Sequence, residues 1–307
     1  MIDRRNKPRP TSSPSWVRNQ LSAFVASTTS SFARSTPHRS HHPLTAARAD
    51  HLVVATANIQ FQADEQRLLD LVDALQQYES TTPAIVALQE VEGTDHLDGH
   101  TIYQIATHFG MSMRYQAARR HPMTDADAHG SFGNAVLSSA GFVDDDAAGL
   151  GRGRVELCSE GGWEPRVAVD VAVPLDDGSA LRVLSTHLDH GGVRGFLGDN
   201  VPGEAQLERL LDAADGIAPT LIVGDFNLVP DRVADILSGS RFIDAARSHA
   251  CHSTGTAGRR RIDYVLVDAD AFEVKDCEVV RLYDLGGGRH DISDHHAVVA
   301  TLRRRTR

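Results

Sequence analysis

Apolar runs in this chain finish repeatedly on side chains that do chemistry. In LIVGDFNLVP, Leu221 to Val223 lead through a glycine to Asp225 and Asn227, which flank Phe226. Asn58 follows VVATA, Gln89 and Glu90 follow IVAL, and His187 follows VLST. Asp263 opens DYVLV, and Asp294 with His295 stands just before HAVVATL. Each residue alone has a local explanation, such as an Asx-turn, a helix cap or a satisfied core histidine. A single cluster at one rim of a sheet accounts for all of them together. An isolated buried acid is costly unless it is paired or hydrated. The chemistry that suits such a cluster is hydrolysis of a phosphate ester. Anionic oxygens must be neutralised, a water deprotonated and a leaving oxygen stabilised. Mg2+ is the expected cofactor, with Mn2+ as the alternative, because a hard cation takes carboxylate oxygen. Glu90 is the first candidate ligand. His295 can accept a proton near neutral pH if a carboxylate orients its other ring nitrogen.

These residues need strands to carry them. From His51 onward the pattern predicts strands at HLVVATANI, PAIVALQEV, SFGNAVLSS, EPRVAVDVAVP, ALRVLSTHLD, PTLIVGDFN, RIDYVLVD, FEVKDCEVV and HHAVVATL. Helices are predicted at DEQRLLDLVDALQQYE, DGHTIYQIATHFG and PGEAQLERLLDAADGI, the last with Pro202 near its start. DDDAAGLGRGR, Asp144 to Arg154, reads as a surface loop, and GGVRGFLGDN reads as a loop able to gate the site. Several strands follow one another directly, so a doubly wound sheet fits less well than two packed sheets with helices outside. No internal repeat is evident. In DFN, alternation turns Asp225 and Asn227 to one side while Phe226 enters the core.

Residues 1–49 differ in kind. Residues 1–50 hold eight Lys/Arg and two Asp/Glu, which leaves 23 against 39, or -16, for residues 51–307. The Ser-, Pro- and Arg-rich composition predicts a disordered basic tail, and it also fits an organelle transit peptide. Residues 50–307 form the expected catalytic domain. Its negative balance argues against a sequence-independent nucleic-acid coat and tilts the substrate toward a small phosphate ester. Cys158, Cys251 and Cys277 show no metal-ligand spacing and suggest free thiols in a cytoplasmic protein. No run is long enough to span a bilayer, and no obligate protein partner is evident.

TANIQ, LQEVEG, GNAVLS, EPRVAV, STHLDH, GDFNLVP, RRIDYVLV and SDHHAVVATL occur in the order found in the endonuclease/exonuclease/phosphatase superfamily, and the chain resembles it over roughly residues 51–303. The resemblance implies an α/β fold, a four-layer sandwich of two packed mixed β-sheets flanked by helices. It implies divalent-metal hydrolysis of phosphate esters, a phosphodiester foremost. Glu90, Asp294 and Asn58 are then expected around the metal. His187, Asp225, Asn227, Asp263 and His295 are expected in catalysis, with Asp263 orienting His295. The resemblance implies water activated by this His–Asp dyad, with His295 the expected general base, and the assignment stays open between His295 and Asp225. Asn58, Asn134 and Arg166 are expected on the substrate side, and Gln206 is expected to be structural. The partner is a phosphorylated substrate: a nucleotide, a nucleic acid, an inositol phosphate or a phospholipid head group. Gln60 stands where some DNA-repair relatives carry an aspartate, which weakens a repair-nuclease reading. Two alternatives are a nuclease proper and a catalytically inert phosphate- or protein-binding relative. The His290–His296 run also offers a zinc reading, and one of Arg259, Arg260 and Arg261 is a candidate phosphate contact.

Overall fold

The computed structural model describes residues 51–60, 84–94, 106–107, 110–122, 129–143, 153–157, 166–192, 195, 199–216, 219–282 and 293–305. They lie in one compact unit spanning Ala46–Arg307. The tail 1–49 and the helix expected at residues 64–79 lie outside the described residues. So does most of the helix expected to end at Gly110, of which Ala106 and Thr107 are helical.

The described strands are β1 His51–Asn58, β2 Ala84–Thr94, β3 Ser112–Pro122, β4 His129–Ser138, β5 Gly153–Leu157 and β6 Arg166–Pro174. β7 Ala180–His187, β8 Thr220–Asp225, β9 Phe242–Asp244, β10 Asp263–Asp268, β11 Phe272–Val280 and β12 Ala297–Arg304 follow. Helix α1 runs Val201–Ala214 between β7 and β8, and α2 runs Pro230–Ile236 after β8. Nine strands fall where periodicity puts them. β3, β5 and β9 are additional, and β5 takes Gly153 and Arg154 out of the expected loop. β3 and β5 carry arginines and mixed polarity because they are edge strands, which weakens the alternation a sequence reading needs.

The strands form two six-stranded mixed sheets, ordered β11-β12-β1-β2-β4-β3 and β5-β6-β7-β8-β10-β9. In each, the one parallel pair is the third: β1 with β2 and β7 with β8. The other pairings in both sheets are antiparallel. The two sheets therefore share one strand plan, a repeat of topology that the sequence does not display. In both, the parallel pair ends side by side, Asn58 opposite Gln89 and His187 opposite Asp225.

Three apolar layers result. Leu52, Val54, Ile85, Val171, Val183, Leu221, Val223, Val265 and Val298 fill the space between the sheets. Val53, Ala55, Val86, Leu88 and Val299 cover the outer face of the first sheet. Leu184, Ile222, Phe226, Tyr264 and Leu266 meet Leu207, Leu210 and Ala214 of α1 outside the second. Consecutive strand residues serve opposite layers, so these strands read as near-continuous apolar runs. Under the rim the layer between the sheets turns polar. Thr56 donates to Gln89 Oε1 (3.1 Å), and Gln89 Nε2 donates across to Ser185 Oγ (3.4 Å).

Candidate active site

Gly224 prepares the end of β8. Its φ is +141°, and a Cβ there would lie 1.9 Å from Thr186 O, so only glycine lets β8 lie this close to β7. Asp225 follows, and its Oδ1 accepts from the Asn227 backbone N–H at 2.9 Å. Phe226 turns into the core, stacked on Tyr264 with ring centroids 5.1 Å apart. This resolves the alternation in DFN: two polar side chains reach the site and the aromatic one anchors it.

The tautomers and amide orientations follow from partners. Asn58 Oδ1 accepts from the Gln60 backbone N–H (3.0 Å), so its Nδ2 faces the site and donates to Glu90 Oε1 and Asp225 Oδ2, both at 3.1 Å. Asn227 Nδ2 donates to Leu188 O at 3.1 Å and lies 3.1 Å from His187 Nε2. That nitrogen of His187 is therefore an acceptor, and the ring hydrogen sits on Nδ1. His187 Nδ1 has no hydrogen-bond partner among the described residues and points toward Glu90 Oε1 at 3.9 Å. His295 Nδ1 meets Asp263 Oδ2 at 2.9 Å, and its Nε2 lies 3.9 Å from Asp225 Oδ2. Asp225 Oδ2 is thus ringed by Asn58, His187 and His295.

Burial and charge set the protonation. Burial, with the Asp263 carboxylate as second cause, pushes Asp225 up to about 7; His295, Asn58 and the Asn227 N–H oppose the shift. Burial pulls His295 down, but the charge and hydrogen bond of Asp263, aided by Asp225 and Asp294, override it and raise the imidazole to about 10. His187 falls well below the usual histidine range, first through burial and then through Arg166 and the two neighbouring histidines, His295 and His190. The site therefore contains a neutral histidine, an imidazolium and a carboxyl group poised near neutrality.

Backbone strain collects here too. Gln60, Glu90 and Asn227 are the non-glycine residues with positive φ among the described residues, at 51°, 56° and 53°. Glu90 lies where the β2–β4 register shifts between Leu88 and Val91. Such a bulge re-aims a side chain at a sheet edge. Here it turns the partly exposed Glu90 carboxylate over the rim.

The structure brings together Asn58, Glu90, His187, Asp225, Asn227, Asp263 and His295. Arg166, buried at the start of β6, is near enough to act on His187. Asp294 is exposed and touches the site through its charge on His295. Asn134 lies beneath the rim, 2% exposed, with Nδ2 bonded to Val167 O of the other sheet at 3.0 Å. Arg261 is buried against Asp244 and stacks over Tyr264, Arg260 reaches Gly195 O, and Arg259 is exposed. His290 and Asp291 lie outside the described residues, and His296 Nδ1 accepts from the Leu282 N–H. Gln206 is structural, its Oε1 accepting from the Asp189 N–H at 2.8 Å. Sequence reasoning passes over Thr256, whose Oγ1 accepts from the N–H groups of Ile262 and Asp263, and over Ser293, which bonds Asn58 O. Hydroxyls this common carry no signal of their own.

The donor set fits a hard divalent cation. Glu90 and Asp225 turn carboxylate oxygens toward one amide nitrogen, and Asp263 Oδ1 has no hydrogen-bond partner among the described residues. Asp225, Asp263 and His295 also place one ligating atom each within 4.8 Å of one another. Asp263 Oδ2 is taken by the hydrogen bond to His295 and each Asp225 oxygen accepts one hydrogen bond, so the oxygens left open to a cation are Asp263 Oδ1 and those of the partly exposed Glu90.

A sequence profile described as the Endonuclease/Exonuclease/phosphatase family matches residues 55–295. No curated protein sequence matches this one. Among solved structures, the human Nocturnin catalytic domain with bound sulfate is similar at TM-score 0.59 and 20% identity, over 83% of this chain and 94% of that one. An endonuclease/exonuclease/phosphatase from Beutenbergia cavernae gives 0.56 and 22%, over 83% and 72%. D. rerio TDP2 complexed with single strand DNA product gives 0.57 and 15%, over 82% and 98%. These structures share the two-sheet fold.

Proposed function

The chain belongs to the Endonuclease/Exonuclease/phosphatase family, and from that premise we propose that it is a divalent-metal-dependent hydrolase of phosphate esters, acting on a phosphodiester. The observation that carries this reading is the meeting, at one rim, of seven polar side chains from the ends of both sheets, with Asn58, His187 and His295 ringing the Oδ2 of Asp225.

Glu90 would hold Mg2+ or Mn2+, which leaves Asp225 free of the cation; the bound cation would neutralise phosphoryl oxygen and acidify water. Asn58 Nδ2, with its oxygen fixed by Gln60, serves as a donor rather than a ligand. His187 Nδ1–H is an unmatched donor, suited to a non-bridging phosphoryl oxygen. His295, held as imidazolium by Asp263, supplies positive charge to the phosphoryl group. Asp225, with a pKa near 7, is the better-matched base for the attacking water. This favours Asp225 over a His295–Asp263 base, because a group near 10 is already protonated at neutral pH.

The net charge of -16 for residues 51–307 favours a nucleotide, inositol phosphate or phospholipid head group over long nucleic acid. The D. rerio TDP2 complex contains single strand DNA, which keeps nucleic acid as the second reading. The deciding experiment follows hydrolysis of a chromogenic phosphodiester with Mg2+ and with EDTA. The expected result is turnover that EDTA abolishes; equal rates would defeat the metal-dependent reading. A panel of plasmid DNA, abasic duplex, RNA, sphingomyelin and inositol phosphates then sorts the substrate classes.

A further inference from the structure

Asn200 lies outside the catalytic set, 1% exposed, as the N-cap of α1. Its Oδ1 accepts from the Gly203 N–H at 3.0 Å, the ordinary work of a cap. Its Nδ2 does something a cap does not require. It donates to Asp189 O at 2.6 Å and to Asn227 O at 3.1 Å. Those carbonyls belong to the two segments that leave the parallel pair β7 and β8, just past His187 and Asp225. One side chain therefore joins the start of a helix to both strand exits. The packing is cleared for it: a Cβ on Gly203 would come within 2.5 Å of Asn200 Nδ2.

The Asn227 carbonyl matters because Asn227 is left-handed, with φ 53°, a conformation costly for a residue with a side chain. From that backbone its Nδ2 reaches His187 Nε2 and Leu188 O. Resting on the reading that His187 and Asn227 serve phosphoryl transfer, we infer that Asn200 is a positioning residue for that step. It holds Asn227 in its strained conformation and so fixes the tautomer of His187 that turns Nδ1–H toward substrate. Gln206 reinforces the same segment by accepting from Asp189 N–H.

Asn200→Ser is the informative variant. Serine keeps a capping oxygen but has no amide hydrogens. Asn200→Ala, Asn200→Ser and Asn227→Ala are compared in the full chain by thermal melting, by steady-state hydrolysis of a chromogenic phosphodiester, and by hydrogen exchange of the Asn227 amide without metal. Asn200→Ala is expected to lower Tm, and serine to restore only the part due to the cap. Serine should still lower kcat by about 10–100-fold, with KM within about threefold, and speed exchange at Asn227. Full kcat in Asn200→Ser beside an impaired Asn227→Ala would reduce Asn200 to a helix cap and overturn the inference. Full kcat in Asn227→Ala would instead defeat the site reading, and the inference with it. If the serine variant does not fold, Asn200→Asp keeps the cap acceptor, lacks the hydrogens and is judged by the same criteria.

Discussion

Strand β7 carries a buried ionic group near each end, and the two are built differently. Toward its start, Arg182 meets Asp170 through two parallel bonds, Nε to Oδ1 at 2.9 Å and Nη2 to Oδ2 at 2.7 Å, while Nη1 donates to Ala213 O at 2.6 Å. One cation faces one anion, and both are dry. At its other end, His187 enters a group where Glu90, Asp225 and Asp263 crowd around one imidazolium and a buried ring nitrogen has no hydrogen-bond partner among the described residues. The first group is complete within the protein. On the proposed function, a cation and a phosphoryl group would complete the second. Stability and activity should therefore respond in opposite ways at the two ends.

The largest contrast is expected at Asp225. Asp225→Asn should lower turnover by about 10²–10⁴-fold and raise Tm. The sign follows from its carboxyl, whose folded pKa of about 7 exceeds the ordinary 3.8. Folding then takes up a proton between those values, so this group's contribution to stability falls as pH rises from about 4 to about 7. The asparagine variant should lose that slope. A lowered Tm at pH 7 would mean that the carboxylate is already compensated. His295 acts with the other sign. Its folded pKa of about 10 lies above 6.5, so its contribution is complete below about 6.5 and is lost as pH climbs through 10. His295→Ala should cost comparable turnover, and near-normal turnover would remove it from phosphoryl stabilisation.

At the matched end the effect is on stability. Arg182→Met leaves Asp170 buried without its cation and should cost about 3–5 kcal/mol by urea unfolding. Turnover per folded molecule should stay unchanged. Replacing both partners, as Arg182→Met with Asp170→Leu, should recover most of the loss, since a well-packed apolar pair often equals a buried ion pair. Failure of the double variant to recover would show that Ala213 O also depends on the guanidinium.

Next in size is stabilisation by metal. Mg2+ at 100 times its Kd should raise wild-type stability by about 2.7 kcal/mol. Glu90→Gln should flatten that response, whereas Arg182→Met should keep it. An unchanged Mg2+ titration in Glu90→Gln would remove Glu90 from the metal site.

The two ends were unequally legible in sequence. Acids and amides after apolar runs stand out, so Glu90, Asp225, Asp263 and His295 could be read as one rim before any coordinates. The two-sheet fold was legible for the same reason: central strands are apolar on both faces. The edge strands β3, β5 and β9 were not, since one side of each lacks a neighbour to impose a pattern, whereas the edge strand β11 was legible because Phe272, Val274, Cys277 and Val279 keep an apolar face. The Arg182–Asp170 pair was invisible because nothing in LRVLS or VAVDV says that two charges twelve residues apart will face each other. Asn200 had a local signal, an asparagine two residues before Pro202 at a helix start. Its bonds to Asp189 and Asn227 depend on how β7 and β8 pair. Asn134 shows the converse: a motif residue expected at substrate, yet bonded between the sheets.

The smallest expected effect separates two kinds of strain at the rim. Glu90 and Gln60 both adopt left-handed backbone, at φ 56° and 51°. At Glu90 the conformation aims a carboxylate. At Gln60, whose side chain is exposed, it aims only a backbone N–H at Asn58 Oδ1. Glycine relieves a left-handed penalty of about 1–2 kcal/mol but loses about 0.5–1 kcal/mol through the freedom of the unfolded chain. Gln60→Gly should therefore stabilise by about 0–1.5 kcal/mol in urea titration. It should leave kcat intact, because the N–H that orients Asn58 remains. Glu90→Gly relieves similar strain but should lose metal-dependent turnover. A kcat loss in Gln60→Gly would show that the Gln60 side chain itself serves the reaction.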